Sequence, residues 1–285
     1  MKSAPAVTIT LAHSPDADDA FMFYALARGK IPTGDRHYRH ELADIETLNR
    51  RALQGELEVT AVSVHTLAHV AERYAVLSHG ASVGESYGPR LVAARPAPSN
   101  PRMGLAGLKV AVPGTLTTAY LALRLYQPQF EAVVIPFDRI EEAVLERRVD
   151  AGLLIHEGQL TYADRGLHLW ADLGEWWQEE TGLPLPLGVN VARSDLGAEL
   201  IEAVAADLKA SIAYALEHRD EALEYALGFA RGLDRSRADR FVGMYVNHFT
   251  LDLGERGRRA VEALLERAAA SGLAPAVSKL EFIGA

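Results

Sequence analysis

The sequence predicts an α/β protein with two lobes and a cleft between them. Short β-rich runs alternate with helical runs along the first two thirds of the chain, a pattern typical of α/β architecture. Two segments that contain proline, residues 96–101 and 184–188, interrupt this alternation. The chain has 285 residues, of which 49% are hydrophobic, so it is long enough for two compact lobes with their own cores.

The first element is a strand over residues 7–12, followed by a helix that ends near Gly29. Ser14 is a good helix cap, Pro15 suits a first turn, and acidic residues there match the helix dipole. The same patterns predict helices at 44–54, 65–74, 117–126 and 138–147. They predict further strands at 38–42, 58–63, 75–78, 90–95, 108–112, 132–135, 151–155, 167–173 and 189–193.

From Asp195 onward the chain is expected to be helical. Ile201, Val204, Leu208 and Ile212 recur at helical spacing, and three further helices are expected at 220–230, 237–249 and 254–270. A helical block this long needs a sheet to cover, and the first lobe is the economical partner. We therefore predict a discontinuous first lobe of residues 1–96 plus 188–285 and a second lobe of 102–187. Crossings near 96–102 and 184–188 would make a hinged cleft, a usual place for a small ligand.

The composition excludes several classes of function. The formal charge of −9 argues against nucleic acid or an anionic membrane surface as a partner, because both attract a surplus of Lys and Arg. The absence of cysteine excludes disulfides and thiolate nucleophiles. No segment approaches the roughly 20 apolar residues of a membrane span, and the apolar run near the start is too short for a secretory leader. We expect a cytoplasmic protein that binds a small molecule; the sequence leaves its oligomeric state open.

One strand is expected to deliver an imidazole and a carboxylate to its carboxyl end. His156 and Glu157 follow the apolar run 151–155, and open α/β sheets bind ligands at that edge. Histidine is the side chain whose charge ordinarily changes near neutral pH, so His156 is a candidate general base. The alternative is a buried histidine that is hydrogen-bonded to the backbone.

Three loops that carry hydroxyl groups are expected to face the same cleft. Ser14 and Ser63 each stand between a strand and a helix, and the turn at Gly114 leads into Thr117 and Thr118 at a helix start. Such a start offers backbone N–H groups and hydroxyls to an anion or a polyol. The alternative for each is simple helix capping.

The usual cofactor and metal motifs are missing from the sequence. It has neither the Gly-x-Gly-x-x-Gly nor the Gly-x-x-x-x-Gly-Lys pattern of nucleotide-binding loops, and no Gly-x-Ser-x-Gly elbow. His65 and His69 stand four apart but lack the Glu of a zinc-binding helix. We therefore expect neither a cofactor nor a metal.

Ordered matches along nearly the whole chain resemble the 1,4-dihydroxy-6-naphthoate synthases of the futalosine route to menaquinone. That family consists of cytoplasmic enzymes with the two-lobed, type 2 fold of periplasmic solute-binding proteins. The matching segments are Ser14-Pro15 with 19–26, 46–50, 112–114 with 117–120, Ile155-His156-Glu157, and 181–188.

The resemblance implies a reaction and a set of site residues. It implies a lyase without a cofactor that converts cyclic dehypoxanthinylfutalosine to 1,4-dihydroxy-6-naphthoate and releases a three-carbon fragment. By resemblance His156 is the base, and the substrate-binding residues are Ser14, Asp19, Asn49, Ser63, Thr117, Thr118, Ile155 and Leu185. One departure is that Asp18 stands where family members carry an amide. An ionised carboxylate accepts hydrogen bonds but cannot donate them, so a substrate contact that needs a donor at this position is in question.

Two other functions fit the same fold. One is chorismate dehydratase of the same pathway, against which the His156-Glu157 pair argues. The other is a non-catalytic small-molecule-binding protein, which would need a secretory leader or a fused output domain.

Overall fold

Twelve strands in two sheets form the framework of the computed structural model, which describes residues 6–284. The predicted first lobe also includes residues 1–5 and 285, which lie outside the described residues. The strands are β1 (Val7–His13), β2 (Arg36–Leu42), β3 (Val59–Ser63), β4 (Tyr74–Leu77), β5 (Ser82–Gly84), β6 (Arg90–Ala93), β7 (Lys109–Val112), β8 (Glu131–Val134), β9 (Ala151–Leu154), β10 (His168–Asp172), β11 (Leu185–Arg193) and β12 (Phe282–Ile283).

Fourteen α-helices surround the sheets in the described part of the chain. They are α1 (Ala17–Met22), α2 (Tyr24–Ala27), α3 (Ile45–Gln54), α4 (Val64–Val70), α5 (Pro101–Gly104), α6 (Thr118–Tyr126), α7 (Ile140–Leu145), α8 (Gly158–Thr161), α9 (Leu173–Thr181), α10 (Ala198–Glu217), α11 (Arg219–Leu227), α12 (Arg235–Tyr245), α13 (His248–Leu251) and α14 (Gly254–Ala270).

Each sheet is mixed. The first has the order β12-β4-β11-β3-β1-β2, with β5 also paired to β11, and the second has the order β10-β6-β9-β7-β8. In the first sheet β1 runs parallel to β2 and β3, while β11 runs antiparallel to β3 and β4. The carboxyl ends of β1, β3, β7 and β9, all members of parallel pairs, therefore carry the loops expected to bind a ligand.

The chain leaves the first sheet earlier than the sequence predicts. Strand β6, which falls inside the predicted first-lobe range 1–96, pairs with β9 and β10 in the second sheet. The crossing thus lies between Gly84 and Arg90, and the proline segment 96–101 connects β6 to α5 on the second-sheet side. The prolines at 96–101 predict a stiff connection, but they do not show which sheet the neighbouring strand joins. Strand pairing decides that. The return crossing lies between α9 and β11, at residues 182–184.

The C-terminal helices cover the first sheet. Phe21 and Tyr24 from the first helical segment share a buried cluster with Phe241 and Tyr245 of α12. A neighbouring cluster packs α10 against the strands β1, β3 and β4. The long helical block therefore buries its apolar face on the first lobe.

Several element boundaries differ from expectation. The first helix is divided at Phe23, the predicted helix 138–147 begins with a 3-10 turn and ends at Leu145, and α4 stops at Val70. Strand β5 lies in what reads as a Gly-rich loop, and β12 adds a parallel edge strand beside β4. None of the helices in residues 6–284 is both long enough and apolar enough to span a bilayer.

Candidate functional site

A cavity lies where the loops of both lobes meet. It has a volume of about 120 Å³. Its lining comes from both lobes: Ser14, Asp16, Asp18, Asp19, Ile45, Ala61, Val62, Ser63, Gly80, Ser82, Pro89, Thr117, Thr118, Ala119, Ile155, Gln159, Leu187, Gly188, Val189, Phe241 and Tyr245. The site is thus mostly apolar with a set of hydroxyl, amide and carboxyl groups, as small-molecule sites usually are.

Six of the nine residues expected from the sequence line this cavity. They are Ser14, Asp19, Ser63, Thr117, Thr118 and Ile155. The other three, Asn49, Leu185 and His156, do not line it.

Asn49 lies behind the cavity surface and bonds to a residue that lines it. It is fully buried, its Nδ2 donates to Ser63 Oγ at 3.0 Å, and its Oδ1 accepts from the Ser63 backbone N–H at 2.9 Å. It therefore holds Ser63 in place. Leu185 is buried in β11 opposite Gly84, and Leu187, two residues farther along the strand, reaches the cavity instead.

The two threonines at the start of α6 are engaged with the protein as well as with the cavity. Thr117 Oγ1 accepts from the Tyr120 N–H at 3.2 Å and donates to Gly114 O at 2.9 Å, so it caps the helix. Thr118 Oγ1 donates to Leu187 O at 2.6 Å and accepts from the His65 N–H at 3.2 Å. Thr118 therefore joins the second lobe to the first at the floor of the cavity.

The start of α6 remains suited to an anion. Thr117 caps the N–H of Tyr120, whereas the N–H groups of Thr118 and Ala119 belong to the first turn, which has no carbonyl partner within the helix. Both residues line the cavity. None of the lining residues within 6–284 is a lysine or arginine, so the helix start is the electropositive feature available to a ligand carboxylate.

Three carboxyl groups from the first loop, those of Asp16, Asp18 and Asp19, also line the cavity. Burial and the neighbouring Asp16 raise the pKa of Asp19 to about 7, although Asp19 accepts the Ser14 N–H at 2.7 Å. Burial, followed by repulsion from Asp19, Asp16 and Glu157, raises the pKa of Asp18 well above its ordinary value. Adjacent His13 supplies no countercharge, because burial and nearby His40 lower its pKa to about 3.

Asp18 is the most available of these acids. It is half-buried, it lines the cavity, and its carboxyl group makes no hydrogen bond to any other residue that the structure describes. Asp16, in contrast, accepts from Ser14 Oγ and from Arg231. A protonated Asp18 could donate a hydrogen bond to a ligand, as the amide that it replaces would.

The imidazole of His156 lies beside the cavity and is occupied by backbone groups. Its Nε2 donates to Phe137 O at 2.9 Å, and its Nδ1 accepts from the Gly158 N–H at 2.7 Å. The side chain is buried and packs edge-on against the Phe137 ring. This is the alternative that the sequence left open, a histidine bonded to backbone. In this conformation neither ring nitrogen is free to take a proton from a ligand.

Several cavity residues carried no usable signal in the sequence. Phe241 and Tyr245 come from α12, more than 200 residues after the first loop, and look like ordinary core positions. Gln159 lies in α8, three residues after His156, and its Oε1 accepts from Tyr245 Oη at 2.7 Å. Gly80, Ser82 and Pro89 are different: they lie in the glycine-rich segment 80–89, whose composition predicts a loop at the border of a cleft.

No group of three or more His, Asp or Glu side chains in the described residues is arranged to hold a metal ion. The acidic first loop brings Asp16, Asp18 and Asp19 close to one another, but not in a metal-binding arrangement.

Comparisons with known proteins agree with this architecture. The alkanesulfonate-binding protein SsuA from Xanthomonas axonopodis pv. citri superimposes with a TM-score of 0.71 at 12% identity, covering 96% of each chain. A crystal structure of a protein from Archaeoglobus fulgidus gives a TM-score of 0.89 at 52% identity, over 93% of this chain and 98% of that chain. The fold is that of the periplasmic binding proteins, as the sequence predicts.

Sequence relatives narrow the assignment. A protein from Thermus thermophilus described as 1,4-dihydroxy-6-naphtoate synthase is 46% identical over 93% of this chain and 96% of its own length. A protein from Streptomyces coelicolor with the same description is 42% identical over 95% of this chain and 96% of its own length. A family model described as menaquinone biosynthesis matches residues 9–270. By these matches the chain belongs to the menaquinone biosynthesis family that includes the 1,4-dihydroxy-6-naphthoate synthases.

Proposed function

We propose that this protein is a lyase that converts cyclic dehypoxanthinylfutalosine to 1,4-dihydroxy-6-naphthoate and releases a three-carbon fragment. The observation that carries the proposal is its identity of more than 40%, over 93% and 95% of this chain, with two proteins described as naphthoate synthases. The cavity between the lobes supports it, because its mostly apolar lining with a few hydroxyl and carboxyl groups is suited to a small molecule.

Two groups of polar lining residues suggest how the substrate lies. Its carboxylate belongs at the start of α6, near the N–H groups of Thr118 and Ala119, where the helix dipole favours negative charge. Its hydroxyl-bearing part belongs against Ser14, Asp18 and Asp19, which come from the first loop and also line the cavity. The raised pKa values of the two aspartates reduce the repulsion that an anionic substrate would meet there.

We propose His156 as the general base in the ligand-bound state. For this role the ring has to exchange one backbone partner, Phe137 O or the Gly158 N–H, for the substrate. A positioned imidazole typically contributes about 10²- to 10⁴-fold to a rate. His156→Ala should therefore leave binding of the naphthoate product nearly unchanged and lower turnover at least about a hundredfold.

The direct test is incubation of the purified protein with cyclic dehypoxanthinylfutalosine, followed by detection of the naphthoate by mass. Consumption of chorismate in a parallel reaction would identify the dehydratase instead. Tight binding of either compound without turnover would indicate a non-catalytic binding protein. A cytoplasmic location is part of the proposal.

A further inference from the structure

Arg231 occupies an unusual position between the lobes. It lies in the loop between α11 and α12, on the first lobe, and its backbone φ of 47° is in the left-handed region that non-glycine residues rarely adopt. The side chain is about one third exposed, so it lies at the edge of the structure rather than in a core.

The guanidinium group of Arg231 contacts both lobes at once. On the first lobe it bonds to the Asp16 carboxylate and to Pro15 O at 3.3 Å. On the second lobe it donates to Glu157 Oε2 at 3.0 Å, and its Cζ lies 4.6 Å from the centre of the Phe137 ring. One side chain therefore joins the first loop to two separate loops of the second lobe.

Glu157 depends on this contact. It is 4% exposed, its Oε2 accepts from Arg231, and its Oε1 has no hydrogen-bond partner among the residues that the structure describes. Burial and the Asp16 charge raise the pKa of Glu157, whereas Arg231 opposes that shift. A buried carboxylate without its cation is costly, so the closed arrangement favours an Arg231 that stays in place.

The same two second-lobe loops hold His156. Phe137, under the Arg231 cation, supplies the carbonyl that accepts from His156 Nε2. Glu157 is the next residue in the chain, and Gly158 donates to the other ring nitrogen. Release of Arg231 would thus loosen both sides of the imidazole.

We infer that Arg231 is a latch that keeps the cleft closed and a positioning residue for His156. The part of this inference that concerns catalysis rests on the proposed function. Other contacts cross the same gap, including Tyr245 to Gln159 and the ion pair of Arg237 with Asp164 at 2.7 Å. Arg231 differs from them because it contacts both Phe137, whose carbonyl accepts from His156, and Glu157, the residue that follows His156 in the chain.

Residue-resolved amide exchange of the ligand-free protein tests the latch without any substrate. Two amides report on it: Gly158 N–H, bonded to His156, and Leu116 N–H, bonded across the lobes to Glu46 Oε2 at 3.1 Å. In Arg231→Gln both should exchange at least tenfold faster, while amides in the middle of β3 change less than twofold. Equal acceleration of the β3 amides, or no change at either reporter, would overturn the inference.

A matched control lies four residues away. Arg235 pairs with Asp220 at 2.7 Å and Glu224 at 2.9 Å, both on α11 of its own lobe, so Arg235→Gln removes the same charge without touching the second lobe. It should leave both reporter amides at the wild-type rate. If Arg231→Gln does not fold, Glu157→Gln weakens the same contact from the other side and should accelerate the same two amides.

Turnover separates this inference from the proposed function. If the wild type makes the naphthoate, kcat/KM should fall at least tenfold in Arg231→Gln, less than twofold in Arg235→Gln, and to an intermediate value in Arg231→Lys. A wild-type kcat/KM in Arg231→Gln would overturn the positioning role. If the wild type makes no naphthoate, the proposed function fails, and the exchange rates still decide whether the latch exists.

Discussion

Replacing Asp19 by asparagine should change how the stability of the protein depends on pH. Asp19 is buried at the start of α1, and burial with the nearby Asp16 raises its pKa from an ordinary value of 3.8 to about 7. Between those two values the folded protein keeps a proton that the unfolded chain has lost. Raising the pH across this window therefore favours unfolding, and the stabilisation is lost as the pH passes the folded-state pKa.

The size of the effect follows from the shift. About three pKa units at about 1.4 kcal/mol each set an upper value of about 4 kcal/mol for the stability lost between pH 4 and 7. Asparagine has no proton to lose, and its Oδ1 can still accept the Ser14 N–H that Asp19 accepts at 2.7 Å. The substitution should therefore remove most of this loss, making Asp19→Asn more stable than the wild type by about 2–4 kcal/mol at pH 8.

Urea unfolding at pH 5, 6, 7 and 8 measures this directly. The difference in unfolding free energy between Asp19→Asn and the wild type should grow with pH up to about 7 and then level off. Glu72→Gln is the control, because Glu72 is exposed in the turn that follows α4, and this variant should follow the wild type at every pH. Parallel curves for Asp19→Asn and the wild type would show that Asp19 ionises normally and would refute the electrostatic reasoning.

Three further predictions concern the cavity and the crossing. Thr118→Val removes the hydroxyl that joins the lobes. In a urea titration it should lower the unfolding free energy by about 1–3 kcal/mol, because a buried carbonyl and a buried N–H lose their partner. Thr118→Ser keeps the hydroxyl and should lower the unfolding free energy clearly less. Gly174→Ala places a Cβ 2.0 Å from the backbone of Tyr87 in the crossing segment, so we expect a loss of at least about 2 kcal/mol, and a melting temperature equal to that of the wild type would contradict the close packing. Asp18→Asn should bind 1,4-dihydroxy-6-naphthoate with an affinity that depends less on pH than that of the wild type, because burial and three nearby acids raise the pKa of Asp18. Calorimetric titrations at pH 6 and pH 9 measure this. An equal ratio of the two affinities in both proteins would contradict the prediction.

The sequence predicts most of the secondary structure because local patterns govern it. Short β-rich or apolar runs mark β3 and β9, and the caps at Asp44 and Thr117 begin α3 and α6 where the sequence places them. Prediction was weaker for features that depend on which strands pair with each other. Strand β6 reads the same in either sheet, and its partners β9 and β10 lie far along the chain.

The candidate site divides in the same way. Hydroxyl groups at helix starts, such as Ser63 and Thr117, could be placed at a cleft because strand ends and helix starts are visible in the sequence. Phe241 and Tyr245 could not, since their place in the cavity depends on how α12 packs against the first helical segment. Whether the Asp18 carboxyl group is available to a ligand, and whether the ring nitrogens of His156 are hydrogen-bonded to backbone groups, depends on neighbours that no spacing rule reveals.

The sequence by itself determined the α/β class, the order of strands and helices, and which loops carry hydroxyl and carboxyl groups, because these follow from hydrophobic periodicity and helix capping. Tertiary structure alone decided which sheet β6 joins, the pKa values of Asp18 and Asp19, and the partners of His156 and Arg231. The physical reason is that burial, charge proximity and hydrogen-bond partners arise between residues distant in the chain, so they exist only once the lobes have packed together.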